Sequence, residues 1–317
     1  MSGAGEGREA PVLDPHVQSF VDQLAQAGAP KYGEQPIPEQ RAAMAGSAAG
    51  FFGPVPPVPW QDVAVPGPGG DVPVRVYQPG EGPAPVLVWF HGGGWVLGNL
   101  ETVHGPCATL AERSGCVVVS VDYRLAPEHP FPAALEDAWA VIDWVRERGS
   151  EIGAEPGRLA IGGDSSGGNI AAVVARQARD AGVPLALQLL VYPVCDADFD
   201  NGSYRAFQTG YWLSREAMVW FFEQYAPGLD WLDPEISPLR APDLAGVAPA
   251  HVITAECDVL RDEGEAYGRR LQEAGVPATI SRHAGMVHGF FRLPAVVPHA
   301  SEALAEAAAA VREAFGR

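Results

Sequence analysis

An apolar run, Leu159 to Ile161, is followed by Gly162-Gly163-Asp164-Ser165-Ser166-Gly167-Gly168-Asn169, after which Ile170, Val173 and Val174 recur at helical spacing. A buried strand that turns this abruptly into a helix, with glycines two residues either side of a serine, constrains the fold more than any other stretch. The serine sits at the tip of a turn too sharp for ordinary backbone angles, so its neighbours must be small for strand and helix to approach. The free N–H groups of the new helix then face the serine and favour a developing negative charge. This is the context of a Gly-x-Ser-x-Gly nucleophile elbow. The other uses of a glycine-rich strand-to-helix turn fit less well. A phosphate loop needs a lysine next to Ser/Thr, and a dinucleotide fingerprint needs Gly-x-Gly-x-x-Gly; neither is present at this turn.

The chain around the turn alternates strand and helix. Gln61–Val65 and Val72–Tyr77 flank Pro66-Gly67-Pro68-Gly69-Gly70 and read as a hairpin. Apolar strands are expected at Val86–Phe90, Val117–Val121, Leu159–Ile161, Leu185–Tyr192, His251–Ala255 and Ala278–Arg282. Helices are expected at Pro132–Arg148, after Ser165, at Glu263–Ala274 and at the C-terminus, where Leu304, Ala308, Val311 and Phe315 share a face. The pattern predicts an α/β fold with a mostly parallel, eight-stranded sheet covered on both faces.

Two segments stand outside the alternation. Before any strand come two predicted helices, from Asp14 to about Ala27 and from Glu39 to Ala49, preceded by a Gly- and Glu-rich start expected to be disordered. Between Tyr192 and His251 lies an aromatic insertion with Phe207, Tyr211, Trp212 and Trp220, in which Ser214 reads as the N-cap of a helix. The expected organisation is residues 1–53 as N-terminal cap helices and 54–317 as the catalytic domain, with a cap insertion at about 197–245.

Three glycines follow the strand Val86–Phe90, in His91-Gly92-Gly93-Gly94-Trp95. Glycine is costly in chain entropy, so something here needs backbone without side chains. An oxyanion hole has that need, because its donors are backbone N–H groups close to the substrate. Gly93 and Gly94 are the expected donors, with the N–H of Ser166 as the third. A serine hydroxyl also needs a base, expected late in the chain in the order Ser, acid, His. His288, in Gly285-Met286-Val287-His288-Gly289-Phe290, lies beyond the last strand, while His283 is closer to the strand itself. The acid should follow the strand His251–Ala255, where Glu256, Asp258, Asp262 and Glu263 all stand. Asp262 and Glu263 suit the first turn of the next helix and Asp258 the loop, yet spacing leaves the choice open.

With 39 acidic against 21 basic residues and a net charge of −18, the chain is a poor candidate for nucleic acid or an anionic membrane. No apolar run is long enough to span a bilayer, and the N-terminus lacks a charged-then-apolar signal, so a cytoplasmic protein is expected. Cys107, Cys116, Cys195 and Cys257 are scattered without metal spacing. Neither metal nor cofactor is expected.

The motifs His91-Gly92-Gly93-Gly94-Trp95, Tyr123-Arg124-Leu125-Ala126-Pro127-Glu128-His129-Pro130-Phe131-Pro132 and Gly163-Asp164-Ser165-Ser166-Gly167-Gly168-Asn169 together resemble those of the bacterial hormone-sensitive-lipase-like, or family IV, esterases. The resemblance runs from about Pro54 to the C-terminus. It implies an α/β-hydrolase fold with a helical cap, and cofactor-free hydrolysis of short- to medium-chain carboxylic esters. It implies that Asp258, first residue of Asp258-Val259-Leu260-Arg261-Asp262-Glu263-Gly264, is the acid of a Ser165–His288–Asp258 triad. It also implies pairing into a homodimer through the edge strand near Ala278, as in many members. Ser166 and Val259 stand where the family usually has alanine and proline. Trp95, Tyr211, Trp212, Val287 and Phe290 are the candidate lining of the substrate pocket. The same triad could serve lactones or amides, and a receptor without catalysis is the reading from another class, one that normally loses the serine or the histidine.

Overall fold

The computed structural model describes residues 11–317; the Gly- and Glu-rich start, expected to be disordered, lies outside them. The chain opens with two helices, α1 (Pro15–Gln26) and α2 (Ile37–Phe52). Asp14 caps α1 by accepting from the His16 N–H at 2.8 Å, and Gly28, at φ +62°, carries the chain out of it. The α2 helix extends beyond the Glu39–Ala49 expected for it at both ends.

Eight strands then form one sheet in the order β1-β2-β4-β3-β5-β6-β7-β8. They are β1 (Trp60–Gly67), β2 (Gly70–Tyr77), β3 (Ala84–Phe90), β4 (Val117–Val121), β5 (Ala154–Asp164), β6 (Gln188–Val191), β7 (Ala250–Cys257) and β8 (Ala278–Val287). Strand β2 is antiparallel to both neighbours, β1 and β4; all the other pairs are parallel. The parallel strands need crossovers, which run through α3 (His104–Ser114), α4 (Ala133–Arg148), α5 (Ser166–Asp180) and α8 (Arg261–Glu273), while α9 (Ala300–Ala314) follows the last strand. With helices on both faces, Val86 to Phe90 have almost no exposed surface, each residue contributing about 1.5–3 kcal/mol of burial free energy.

Strand β6 is shorter than the Leu185–Tyr192 run predicted for it. Pro184 has no N–H to pair, and the residues before β6 meet β5 through Ala186 N–H to Leu159 O and Ile161 N–H to Leu187 O. Strand β5 extends three residues beyond its predicted end, and Asp164 still pairs with Val191. Its C-terminal end therefore delivers the serine directly.

Between β6 and β7 the chain leaves the sheet and forms α6 (Gly202–Phe207) and α7 (Arg215–Tyr225). Ser214 caps α7, its hydroxyl accepting from the Ala217 N–H at 3.1 Å. This segment meets the N-terminal helices through aromatic contacts. Trp212 lies 4.6 Å from Phe20 of α1, its Nε1 donates to the Tyr32 hydroxyl at 3.1 Å, and Tyr32 lies 5.2 Å from Phe221 of α7.

Candidate active site

Ser165 sits between β5 and α5 at φ +58°, ψ −121°. A non-glycine residue in this region costs about 1–3 kcal/mol and persists only where its surroundings fix it. Here the Ser165 N–H donates to Val191 O at 2.9 Å, and its carbonyl accepts from Asn169 at 3.1 Å and Val194 at 3.2 Å. The flanking glycines are required by space. A Cβ on Gly163 would lie 2.3 Å from the carbonyl carbon of Gly167, and one on Gly167 would lie 2.0 Å from Phe90 O.

His288 follows β8 directly. Its Nε2 lies 3.0 Å from Ser165 Oγ and its Nδ1 lies 2.8 Å from Asp258 Oδ2. A carboxylate can only accept, so Nδ1 carries the proton and Nε2 presents its lone pair to the serine hydroxyl. The three side chains are almost closed off, with 6 %, 8 % and 1 % exposure for Ser165, His288 and Asp258.

The other acids after β7 are each engaged elsewhere. Glu256 accepts from the Gly285 N–H at 2.9 Å and so braces the loop before His288. Asp262 accepts from the Ser203 N–H at 2.8 Å, at the start of α6. Glu263 accepts from the N–H groups of Cys195 at 2.7 Å and Asp196 at 3.2 Å, and its complete burial pushes its carboxyl well above the usual range. His283 faces Glu306 at 3.0 Å and His299 at 2.9 Å.

The glycine loop after β3 lies over Ser165. Gly93 and Gly94 have φ +135° and +61°, and a Cβ on them would lie 2.2 Å from Leu97 O and 2.1 Å from the Phe221 ring. The first turn of α5 leaves the Ser166 N–H without a helical acceptor, beside the same space. Residues that the sequence reading gave no such role hold this loop in place. Asp164 accepts from the Gly92 N–H at 3.0 Å, and the Tyr123 hydroxyl donates to His91 O at 2.7 Å. The Ala126 N–H donates to Trp95 O at 2.9 Å. Arg41 of α2 donates to Val96 O at 2.8 Å, to Ala126 O at 2.9 Å and to both carboxylate oxygens of Glu128. Tyr123, Ala126 and Glu128 belong to a motif whose regularity signalled a task without showing which. Nothing in the sequence around Arg41 points to its contacts.

The candidate pocket lining is corrected at three positions. Trp95, Val287 and Phe290 have no exposed surface. Trp95 stacks on Tyr225 with centroids 4.1 Å apart and planes 4° off parallel, anchoring the glycine loop to α7. Phe290 packs between Tyr192 and His283, at 6.0 Å and 5.2 Å. An apolar residue beside a catalytic motif serves a wall or its foundation equally well, and here burial favours the foundation. Tyr211 and Trp212 remain partly exposed on the cap side. Among the described residues, no group of three or more His, Cys, Asp or Glu could hold a metal ion, and no helix is long and apolar enough to cross a membrane.

The chain is similar to known proteins. A family model described as alpha/beta hydrolase fold matches residues 87–292. Carboxylesterase NlhH of Mycobacterium tuberculosis is 46% identical over 253 residues, which cover 77% of this chain and 79% of that protein. The carboxylic ester hydrolase LipN of the same organism is 43% identical, covering 81% and 71%. The solved structure of ester-hydrolase EH1AB1 from the metagenome of Lake Arreo superposes with a TM-score of 0.93 at 40% identity, covering 96% of this chain and 100% of that one.

Proposed function

The chain belongs to the hormone-sensitive-lipase-like (family IV) esterases of the α/β-hydrolase fold, and from that premise we propose that Ser165, His288 and Asp258 carry out its reaction by two-step acyl transfer. The protein is a carboxylic ester hydrolase, a serine hydrolase like its relatives. The observation that carries the assignment of residues is the unbroken chain Asp258–His288–Ser165, at 2.8 Å and 3.0 Å.

His288 Nε2 takes the hydroxyl proton as Ser165 Oγ attacks the ester carbonyl. Asp258 holds the imidazole in the required tautomer and stabilises the imidazolium. The N–H groups of Gly93, Gly94 and Ser166 receive the oxyanion. His288 then protonates the departing alcohol, and the acyl group stays on Ser165. Water, deprotonated by His288, attacks the acyl-enzyme and releases the acid and the serine.

Short- to medium-chain acyl esters are the substrates this reading favours. Its support is the aromatic contact between Trp212, Tyr32, Phe20 and Phe221, together with the packing of the Phe221 ring against Gly94 of the glycine loop. In this reading α1 and α2, with the insertion of residues 197–245, are the cap. A homodimer through β8 is part of the reading, supported by the place of β8 at the end of the sheet, paired with β7 alone. So is a cytoplasmic location, which four unpaired, buried cysteines fit. Labelling with a fluorophosphonate, which should modify Ser165 and no other serine, tests the nucleophile. A graded panel of alkyl esters, lactones and amides tests the substrate class; faster turnover of lactones or amides than of esters of equal length would reject it.

A further inference from the structure

Asp164 is fully buried beside the nucleophile, and it has one oxygen to spare. Oδ1 accepts from the Gly92 N–H at 3.0 Å, while Oδ2 meets neither a hydrogen-bond donor nor solvent. A carboxylate sealed from water is costly unless a cation compensates it. The cation here is Arg292, whose Nε lies 3.5 Å from Oδ2 and whose side chain is only 16% exposed. It stands four residues after His288, at the end of the 3-10 turn Phe290–Arg292. Burial works against its charge, yet Asp164 together with Tyr192 and Tyr32 holds the guanidinium above its ordinary value.

The carboxylate also sets where the oxyanion loop lies. A Cβ on Gly92 would be 2.6 Å from Asp164 Oδ2 and 3.0 Å from Ser165 Cβ, so the loop rests directly on these two residues. Gly93 and Gly94 come next in the chain. Donors to an oxyanion act because they are fixed before the charge develops, and a small displacement removes much of their effect.

We propose that Arg292 is a positioning residue for catalysis: it holds the Asp164 side chain in place, and Asp164 in turn holds Gly92 and thereby the Gly93–Gly94 donors over Ser165. Arg292 touches neither the substrate nor the reacting atoms. The proposal rests on Ser165 being the nucleophile. An Arg292–Asp164 pair that served stability alone would lower the melting temperature of a variant without changing the kinetics of the folded enzyme.

The test uses the full chain and a chromogenic butyrate ester, with kcat and KM read separately and the melting temperature beside them. Arg292→Met should lower kcat by about tenfold or more with little change in KM, since the loop's contribution belongs to the transition state. In an Asp164→Asn background, which needs no counter-ion, Arg292→Met should cost less than about twofold more. Arg292→Gln repeats the test without charge should the methionine variant not fold. A folded neutral variant with wild-type kcat, or losses that multiply in the double variant, would overturn the proposal. Failure of the functional reading itself looks different: Ser165→Ala would then be as active as wild type.

Discussion

The ring of Phe221, on α7, lies so close to Gly94 that a Cβ built on that glycine would come within 2.1 Å of it. One side chain from the insertion thus fixes which residue the glycine loop admits at this position. Gly94→Ala should lose about 10²-fold or more in kcat, because the loop must move or the ring must give way. Phe221→Ala should shift the preferred acyl chain longer, each further buried methylene adding about 0.8 kcal/mol until the enlarged pocket fills. Rates across a C2 to C12 ester series check both, and an unchanged chain-length optimum in Phe221→Ala would remove the ring from the pocket wall.

Ser165→Ala should reduce turnover by about 10⁶, as in triads that act as a unit. Ser166→Ala should keep most of the activity, because only the backbone N–H is used. Single-turnover acylation rates separate the two, and a dead Ser166→Ala enzyme would contradict the registration of the elbow.

Asp258→Asn and Asp262→Asn, four residues apart, should fail in different ways. The first favours the wrong tautomer of His288 and should lower kcat by about 10⁴. The second weakens the bond from the Ser203 N–H and should lower thermal stability with kcat largely kept. Calorimetry beside steady-state kinetics distinguishes these outcomes.

Glu263 predicts a pH dependence of stability. Its folded-state pKa lies well above the ordinary value of 4.5 because it is buried, with Asp196 and Asp258 adding repulsion. Above pH 4.5 the unfolded chain therefore holds fewer protons at this site than the folded one, and stability falls as pH rises through the window up to the raised value. Glu263→Gln can still accept from Cys195 and Asp196 but never ionises. Its melting temperature relative to wild type should rise from pH 5 to pH 8; a constant difference would show that Glu263 ionises normally.

Arg41→Met should detach α2 from the glycine loop, since it removes the bonds to Val96 O, Ala126 O and Glu128 together. Limited proteolysis should then cut the first fifty residues faster, and deleting them should lower the melting temperature and flatten the chain-length profile. A truncated enzyme with both properties intact would exclude these helices from the site.

The parts of the site legible in the sequence are those where the backbone itself is under demand. Gly163 and Gly167 appear at fixed distances from Ser165 because strand and helix nearly touch there, and no other residue leaves room. Gly93 and Gly94 appear because positive φ and close approach coincide. Such demands are local, so they leave a local pattern. The strand and helix alternation is legible for the same reason, since burial on both faces is written into each strand separately.

Tertiary structure decided what depends on the reach of a side chain. Four acids cluster after β7 at spacings that chemistry alone does not rank, and which one meets His288 follows from where β7 and β8 end in space. Trp95 could have lined a pocket; stacking on Tyr225, 130 residues later, turned it into an anchor. The same holds for β4 inserting between β2 and β3, for Arg41 brought to the glycine loop, and for Arg292 brought to Asp164, each from a distant part of the chain. Contacts between distant residues are selected by the free energy of the whole packed state, and one sequence carries no local mark of a partner that only the complete fold brings near.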